Sequence, residues 1–316
     1  MTFLNWFMDP YRSSEFMRLA AVGAVLVGIL APAVGVWVLL RRLAYLGDAM
    51  SHATLGGVAG AYLVGASITL GALAAGLVMG VMIAVLGARR RLAQDATIGV
   101  AETVLFASGV ILISRSDGVG IDLSHYLFGQ ITTVRPADLV LNGALMMLAL
   151  GTIGVLFRDL RSATFDPLHA RQVGVPTRVL DHVLLALVSV TVVVSLQTVG
   201  LLMSVAMLVT PAATARLVTD KITTMTAVAV GLGVSSALGG LTLSYHTASP
   251  PGATIALVAA GQLLVAFAMT SAWRAGRRLG RGGGYATGRH SIVPDARAMA
   301  NDAPSGAHDK PATTSP

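Results

Sequence analysis

The sequence predicts an all-α fold, a polytopic bundle of about eight or nine transmembrane helices. Three observations carry this: the composition, the length of the apolar stretches and the placement of the basic residues. Of 316 residues, 54% are apolar and only 12% charged, and the mean hydropathy is +0.74. A soluble domain carries about 25% charged residues, so the solvent for most of this chain is lipid. Apolar stretches run roughly over 17–40, 45–65, 68–88, 97–114, 138–157, 180–198, 199–217, 222–245 and 252–273. Most approach the ~20 residues that cross ~30 Å of hydrocarbon as a helix. Helix is the default because each segment must satisfy its own backbone in lipid. The run 180–217 is divided only by Gln197 and Gly200, and it decides between eight spans and nine.

Lysine and arginine set the orientation. With Arg41 and Arg42 in the cytoplasm and the spans alternating, fourteen basic residues before the tail fall inside; Arg12, Arg18, Arg115 and Arg135 fall outside. This bias is the positive-inside pattern. The net charge of +7 therefore reads as membrane topology and excludes nucleic acid as the partner. Nine spans place the N-terminus outside and the C-terminus in the cytoplasm; eight move the N-terminus inside. The chain has no cysteine, so neither a disulfide framework nor a thiolate metal site is available. Three regions follow. Residues 1–16, with Phe3, Leu4, Trp6, Phe7 and Met8, form an N-terminal interfacial segment. Residues 17–277 form the transmembrane domain. Residues 278–316, rich in Gly, Pro, Ser, Thr, Asp and Ala, form a cytoplasmic tail too poor in large apolar groups to order itself.

The chemistry concentrates in Arg41–Gly65. Asp48 and His52 are four apart, which places both on one helix face, one turn from each other. A carboxylate beside an imidazole suits Mn, Fe or Zn. Counting from Arg42 as the cytoplasmic boundary, His52 lies about 15 Å deep, near the midplane, where ionisable groups need a cavity, a partner or an ion. The alternative at this stage is Asp48 as a helix N-cap with His52 hydrogen-bonded across the bundle. Glu102 lies about 16 Å beyond Arg91 on the same count. It either lines the same cavity or pairs with a neighbouring helix. Gly56, Gly57, Gly60, Gly76 and Gly80 form small-xxx-small patterns that favour close helix packing. Pro32 and Pro211 are expected to kink their helices.

Between two spans, Phe165–Gly174 is punctuated at both ends. Asp166 is a good N-cap and Pro167 fits the first helical position. Gly174 suits a left-handed stop, with Pro176 behind it. The pattern predicts a short cytoplasmic helix over about 166–174, stiff enough to dock a partner or to lie at the interface. On the outer side, Asp117, Asp122, His125 and Asp138 could concentrate cations at a mouth. His246, in Ser244–Thr254, is placed as an outer-gate candidate.

Five ordered stretches, RRLAYLGDAMSHATLGGVAGAYL, HYLFGQITTVRPADL, FDPLHARQVGV, VVSLQTVGLLMSVAMLVTPAATARLVT and SYHTASPPGATI, resemble the integral-membrane permeases of zinc/manganese ABC importers. The resemblance covers roughly residues 16–273. It implies a permease paired with a second copy or a similar permease, two cytoplasmic ABC ATPase subunits, and an extracytoplasmic metal-binding protein, in a prokaryotic cell membrane. It implies that Asp48 and His52 are the metal ligands in the pathway, with Mn2+ or Zn2+ as cargo and no permanently bound cofactor. It implies that Phe165, Asp166, Pro167, Ala170 and Gly174 belong to the element that contacts the ATPase. Two positions depart from the family's pattern: Gly56 stands where many relatives carry Pro, and His246 where an aromatic residue is frequent. The PPGAT and VVSLQTVG stretches lie closer to the manganese branch.

No G-x-x-x-x-G-K-[ST] phosphate loop occurs, and the only lysines are Lys221 and Lys310, so the energy must come from a separate subunit. A transport subunit and not an enzyme is expected, since H-E-x-x-H and G-x-S-x-G are absent as well. The competing reading is an ion- or proton-coupled secondary transporter, with Asp48, His52 and Glu102 as a proton relay.

Overall fold

The computed structural model describes residues 3–13, 15–87, 92–115 and 136–282, and all of its described regular structure is helical. Asp117, Asp122 and His125, and the tail beyond 282, lie outside the described residues. The chain divides into Met1–Ser271, which holds every feature discussed below, and Ala272–Pro316.

Helix α1 covers Phe3–Ser13 and α2 covers Glu15–Leu40. Then come α3 (Ala44–Leu63), α4 (Ile68–Gly87), α5 (Gln94–Ser114) and α6 (Pro136–Val155). Two short helices, α7 (Phe157–Phe165) and α8 (Pro167–Gln172), lead into α9 (Thr177–Val199), α10 (Leu201–Val218), α11 (Ile222–Thr247) and α12 (Pro251–Gly282). Seven of the described helices are long and apolar enough to cross a membrane. The number is eight if α6 and α7, bent by 64° at their junction, form one span. Helix α3 has the length, 20 residues, but Asp48, His52 and its small residues dilute its apolarity. Adding it gives the nine stretches read from the sequence. The long run 180–217 does break, at Gly200, whose φ of +85° suits glycine.

Helix α2 is the axis of the bundle. Its middle is buried on nearly every side, and it packs against α6, α9, α10 and α11. Toward the Arg41 end the core gathers Trp37, Leu46, Met50, Met79, Leu184 and Val188. Toward the other end it gathers Met17, Val27, Met203, Met207 and Ile255. Lipid tails are as apolar as leucine, so helices associate through close packing and polar satisfaction. Several buried hydroxyls comply by bonding back within their own helix, as Ser51 does to the Gly47 carbonyl (2.8 Å) and Thr191 to that of Leu187 (2.7 Å), whereas those of Ser189 and Ser195 have no hydrogen-bond partner in the structure.

Glycines bring α3 against both neighbours. A Cβ on Gly57 would strike the Gly71 carbonyl of α4, and one on Gly109 of α5 would sit 2.8 Å from the Gly56 Cα. Gly60, by contrast, has open space in front of it and takes no part in the packing expected of it. Gly56 lies within an unbroken helix, so no local break occurs there.

The turn from α2 to α3 is closed tightly. The Arg42 N–H bonds the Leu39 carbonyl (3.0 Å) and the Leu43 N–H bonds that of Val38 (2.9 Å). This is the Schellman pattern, with Arg42 at the left-handed position (φ +60°) usually given to glycine. The left-handed backbone costs a non-glycine residue about 1 kcal/mol. Arg42→Gly is therefore expected to raise the thermal midpoint of the detergent-solubilised protein, and Arg42→Val to lower it. Gly57→Leu is expected to lower it further, by an overpacking penalty of about 1–3 kcal/mol. Tryptophan-fluorescence melting curves of the three variants beside wild type check the order.

Candidate functional site

Helix α3 begins at Ala44 with Leu43 as its N-cap, so Asp48 is interior to the helix and caps nothing. Its carboxylate and the His52 ring lie on one face, as the four-residue spacing requires, with Asp48 Oδ1 3.8 Å from His52 Nε2. That separation is too long for a hydrogen bond and leaves both groups free to turn toward a shared third atom. The side chains of His52 and Asp48 are 34% and 40% exposed. Within a bundle of lipid-crossing helices, this face is one that something other than the chain's own core must cover.

Helix α5 supplies the second wall. Tyr45, one turn before Asp48, donates its hydroxyl to Glu102 Oε2 at 2.6 Å. Phe106, one turn beyond Glu102, meets the His52 ring edge-on, with centroids 5.8 Å apart and planes at 85°. Two cross-helix contacts therefore bracket Asp48: Tyr45 with Glu102 on one side, His52 with Phe106 on the other. Among the described residues no three His, Asp or Glu side chains gather closely enough to hold a metal ion. Asp48 and His52 are brought together; Glu102 sits beside them but is engaged by Tyr45. Sequence reasoning passed over Tyr45 and Phe106. Tyr45 was open to discovery, being three residues before Asp48 and so on the same face; Phe106 needed the α3–α5 packing.

At the other end of the chain's chemistry, α8 forms where the punctuation predicts. Asp166 accepts a hydrogen bond from the His169 N–H (2.9 Å), Pro167 occupies the first turn, and Gly174 (φ +84°) closes the helix. Val175 N–H bonds the Ala170 carbonyl (2.9 Å), completing a second Schellman stop. Ala170 is buried, whereas Phe165, Leu168 and Val173 are exposed at 57%, 73% and 59%. Three large apolar groups thus stand exposed on and beside so short an element.

His246 is held by α1. Its ring stacks on Trp6 (4.4 Å, 14°), its Nε2 lies 3.0 Å from the Trp6 carbonyl oxygen, and Tyr245 meets it edge-on. Farther along, the Tyr11 hydroxyl pairs with Thr242 Oγ1 (2.9 Å) and reaches the Leu238 carbonyl (3.1 Å). Burial raises the Tyr11 pKa above the ordinary phenol value, with the Thr242 bond opposing, so Tyr11 keeps its proton at physiological pH. Leu238, Thr242 and His246 are spaced four apart, a single stripe on α11 that α1 covers.

The fold defines the class, a multi-pass membrane permease. The chain belongs to the ABC 3 transport family, whose pattern matches residues 13–270. It is 38% identical over 286 residues to the manganese transport system membrane protein MntC of Halalkalibacterium halodurans, covering 88% of this chain and 97% of that one. It is 34% identical over 261 residues to the manganese import system permease protein ScaB of Streptococcus parasanguinis, covering 83% and 93%. Among solved structures it resembles PsaBC from Streptococcus pneumoniae in complex with Fab. The TM-score is 0.75 at 32% identity, over 84% of this chain and 95% of that one.

Removing the Asp166 side-chain cap costs about 1 kcal/mol. Asp166→Ala should therefore speed amide exchange at Leu168–Ala170 by about fivefold, and Asp166→Asn, which keeps an acceptor, should change it little. Hydrogen–deuterium exchange read by mass spectrometry distinguishes the two.

Proposed function

We propose that this chain is the membrane-spanning subunit of an importer that moves a divalent transition metal, manganese before zinc or iron, into the cytoplasm. The observation that carries the reading is the Asp48–His52 pair, one turn apart on a half-exposed face of α3, in a family whose similar members are manganese permeases. A carboxylate supplies charge and an imidazole supplies a borderline-soft nitrogen, a set that favours manganese, iron or zinc over magnesium or calcium. Two ligands with retained waters bind loosely enough to release, which a closed four-ligand cage would not. Tyr45 holds Glu102 to one side, where its charge attracts the cation without closing a third bond.

The exposure of this face supports pairing with a second permease, so that the pathway runs between two subunits and the site is walled by both. The exposed Phe165, Leu168 and Val173 beside α8 support docking of a cytoplasmic ABC ATPase there. An extracytoplasmic metal-binding protein would deliver the cation at the opposite face. With α8 cytoplasmic, the basic residues near Arg41, Arg158 and Arg178 share its side, as positive-inside placement demands, and the C-terminus is cytoplasmic too. Transport then follows alternating access, with the site exposed first outward and then inward.

The test is uptake of radiolabelled manganese and zinc into vesicles holding this chain with its ATPase and binding protein. Uptake should require ATP and favour manganese. It should fall at least tenfold in Asp48→Ala and His52→Ala, and by a smaller factor in Tyr45→Phe, with the complex still assembled. Uptake that proceeds without ATP, or normal transport by both site variants, would sink this reading.

A further inference from the structure

We infer that Arg41 is a positioning residue for transport, tying both flanks of the docking helix α8 to the base of the metal-bearing helix α3. Its Nε donates to Thr164 Oγ1 at 3.1 Å, and its Nη1 pairs with the carboxylate of Asp181. Thr164 is two residues before the Asp166 cap of α8. Asp181 lies in the second turn of α9, just past the Gly174–Pro176 turn that ends α8. One guanidinium therefore touches the chain on either side of α8. The Thr164 hydroxyl hydrogen is spent on the Leu160 carbonyl (2.6 Å), which leaves its oxygen to accept from Arg41. Leu160 is itself fully buried, so the contact is anchored in the core.

On its other side Arg41 ends α2, its N–H bonded to the Trp37 carbonyl (3.1 Å), three residues before α3 begins. It is the last residue before the left-handed Arg42, in a turn of three residues closed by the two hydrogen bonds to Val38 and Leu39. A turn that short and that fully bonded has little slack. Tyr45 follows four residues on and Asp48 seven. A displacement of α8 that drags Thr164 and Asp181 therefore reaches Asp48 through one side chain, a three-residue turn and the first turn of α3. The Arg41 side chain is 12% exposed, and its Nη2 is buried with no hydrogen-bond partner in the structure. Arg41, Thr164 and Asp181 also line a common cleft. The guanidinium thus has an unused donor and room to re-pair, as a link with two arrangements requires.

This inference rests on the importer reading, and the experiment separates the two. Manganese uptake and ATP hydrolysis are measured together in vesicles holding the full complex, for wild type, Arg41→Ala, Thr164→Val, Asp181→Asn and the exchange Arg41→Asp/Asp181→Arg. Couplings of this kind run from about fivefold upward. In Arg41→Ala, manganese moved per ATP should fall at least about fivefold while hydrolysis continues. Thr164→Val and Asp181→Asn should fall less, and the exchange should recover part of the loss. Wild-type uptake per ATP in every single variant overturns the proposal and leaves the importer standing. So does a parallel fall of uptake and hydrolysis that the exchange does not relieve, which marks Arg41 as ordinary scaffolding. Wild-type uptake that ignores ATP removes the importer reading and this inference with it.

Discussion

Everything that gives this protein a site depends on how closely α3 approaches α4 and α5. Lipid provides no hydrophobic drive to press helices together, so the contact is made by removing side chains until backbone meets backbone. Gly57 against Gly71, and Gly56 against Gly109, do this on two sides of one helix. With α3 held there, its polar residues have a fixed relation to α5. Tyr45 reaches Glu102, and His52 reaches Phe106. A bulkier contact would space the helices apart and dissolve both pairs. Gly57 packs against α4 on the side of α3 away from Asp48, and the Asp48–His52 face stays partly open.

The architecture was largely legible in the sequence. Nine apolar stretches, the division at Gly200 and the capped helix after Asp166 all follow from rules about a single segment: length, a left-handed glycine, a carboxylate before proline. The pairing of Asp48 with His52 was legible for the same reason, since a spacing of four is a property of one helix. What lay between helices was not. The Tyr45 bond to Glu102 needs the packing of α3 on α5. The seat of His246 against Trp6 joins residues 240 positions apart, and no local pattern announces it. Gly60 shows the opposite failure: a small-xxx-small spacing that satisfies the pattern yet faces open space.

The two ends of the mechanism are built in different styles. At Asp48 and His52 the chemistry is spare, two groups 3.8 Å apart on a partly exposed face, which under the proposed function suits an ion that must leave again. At α8 the construction is over-determined, with a side-chain cap, a proline, a left-handed glycine and two closing hydrogen bonds on six helical residues. In the proposed importer, a stiff element where the ATPase docks and a loose one at the cargo would allow force to be delivered without being absorbed on the way.

The seat of α1 on α11 has a consequence for how the molecule is made. Trp6 and Tyr11 emerge from the ribosome some 230 to 240 residues before their partners His246, Thr242 and the Leu238 carbonyl. During that interval α1 has only α2 to lean on, and the rest of its apolar side waits on the lipid surface. Its docking on α11 can form only once that helix has been inserted in the right direction. A segment that looks like a preface is in effect a clasp, fastened only after α11 is in place.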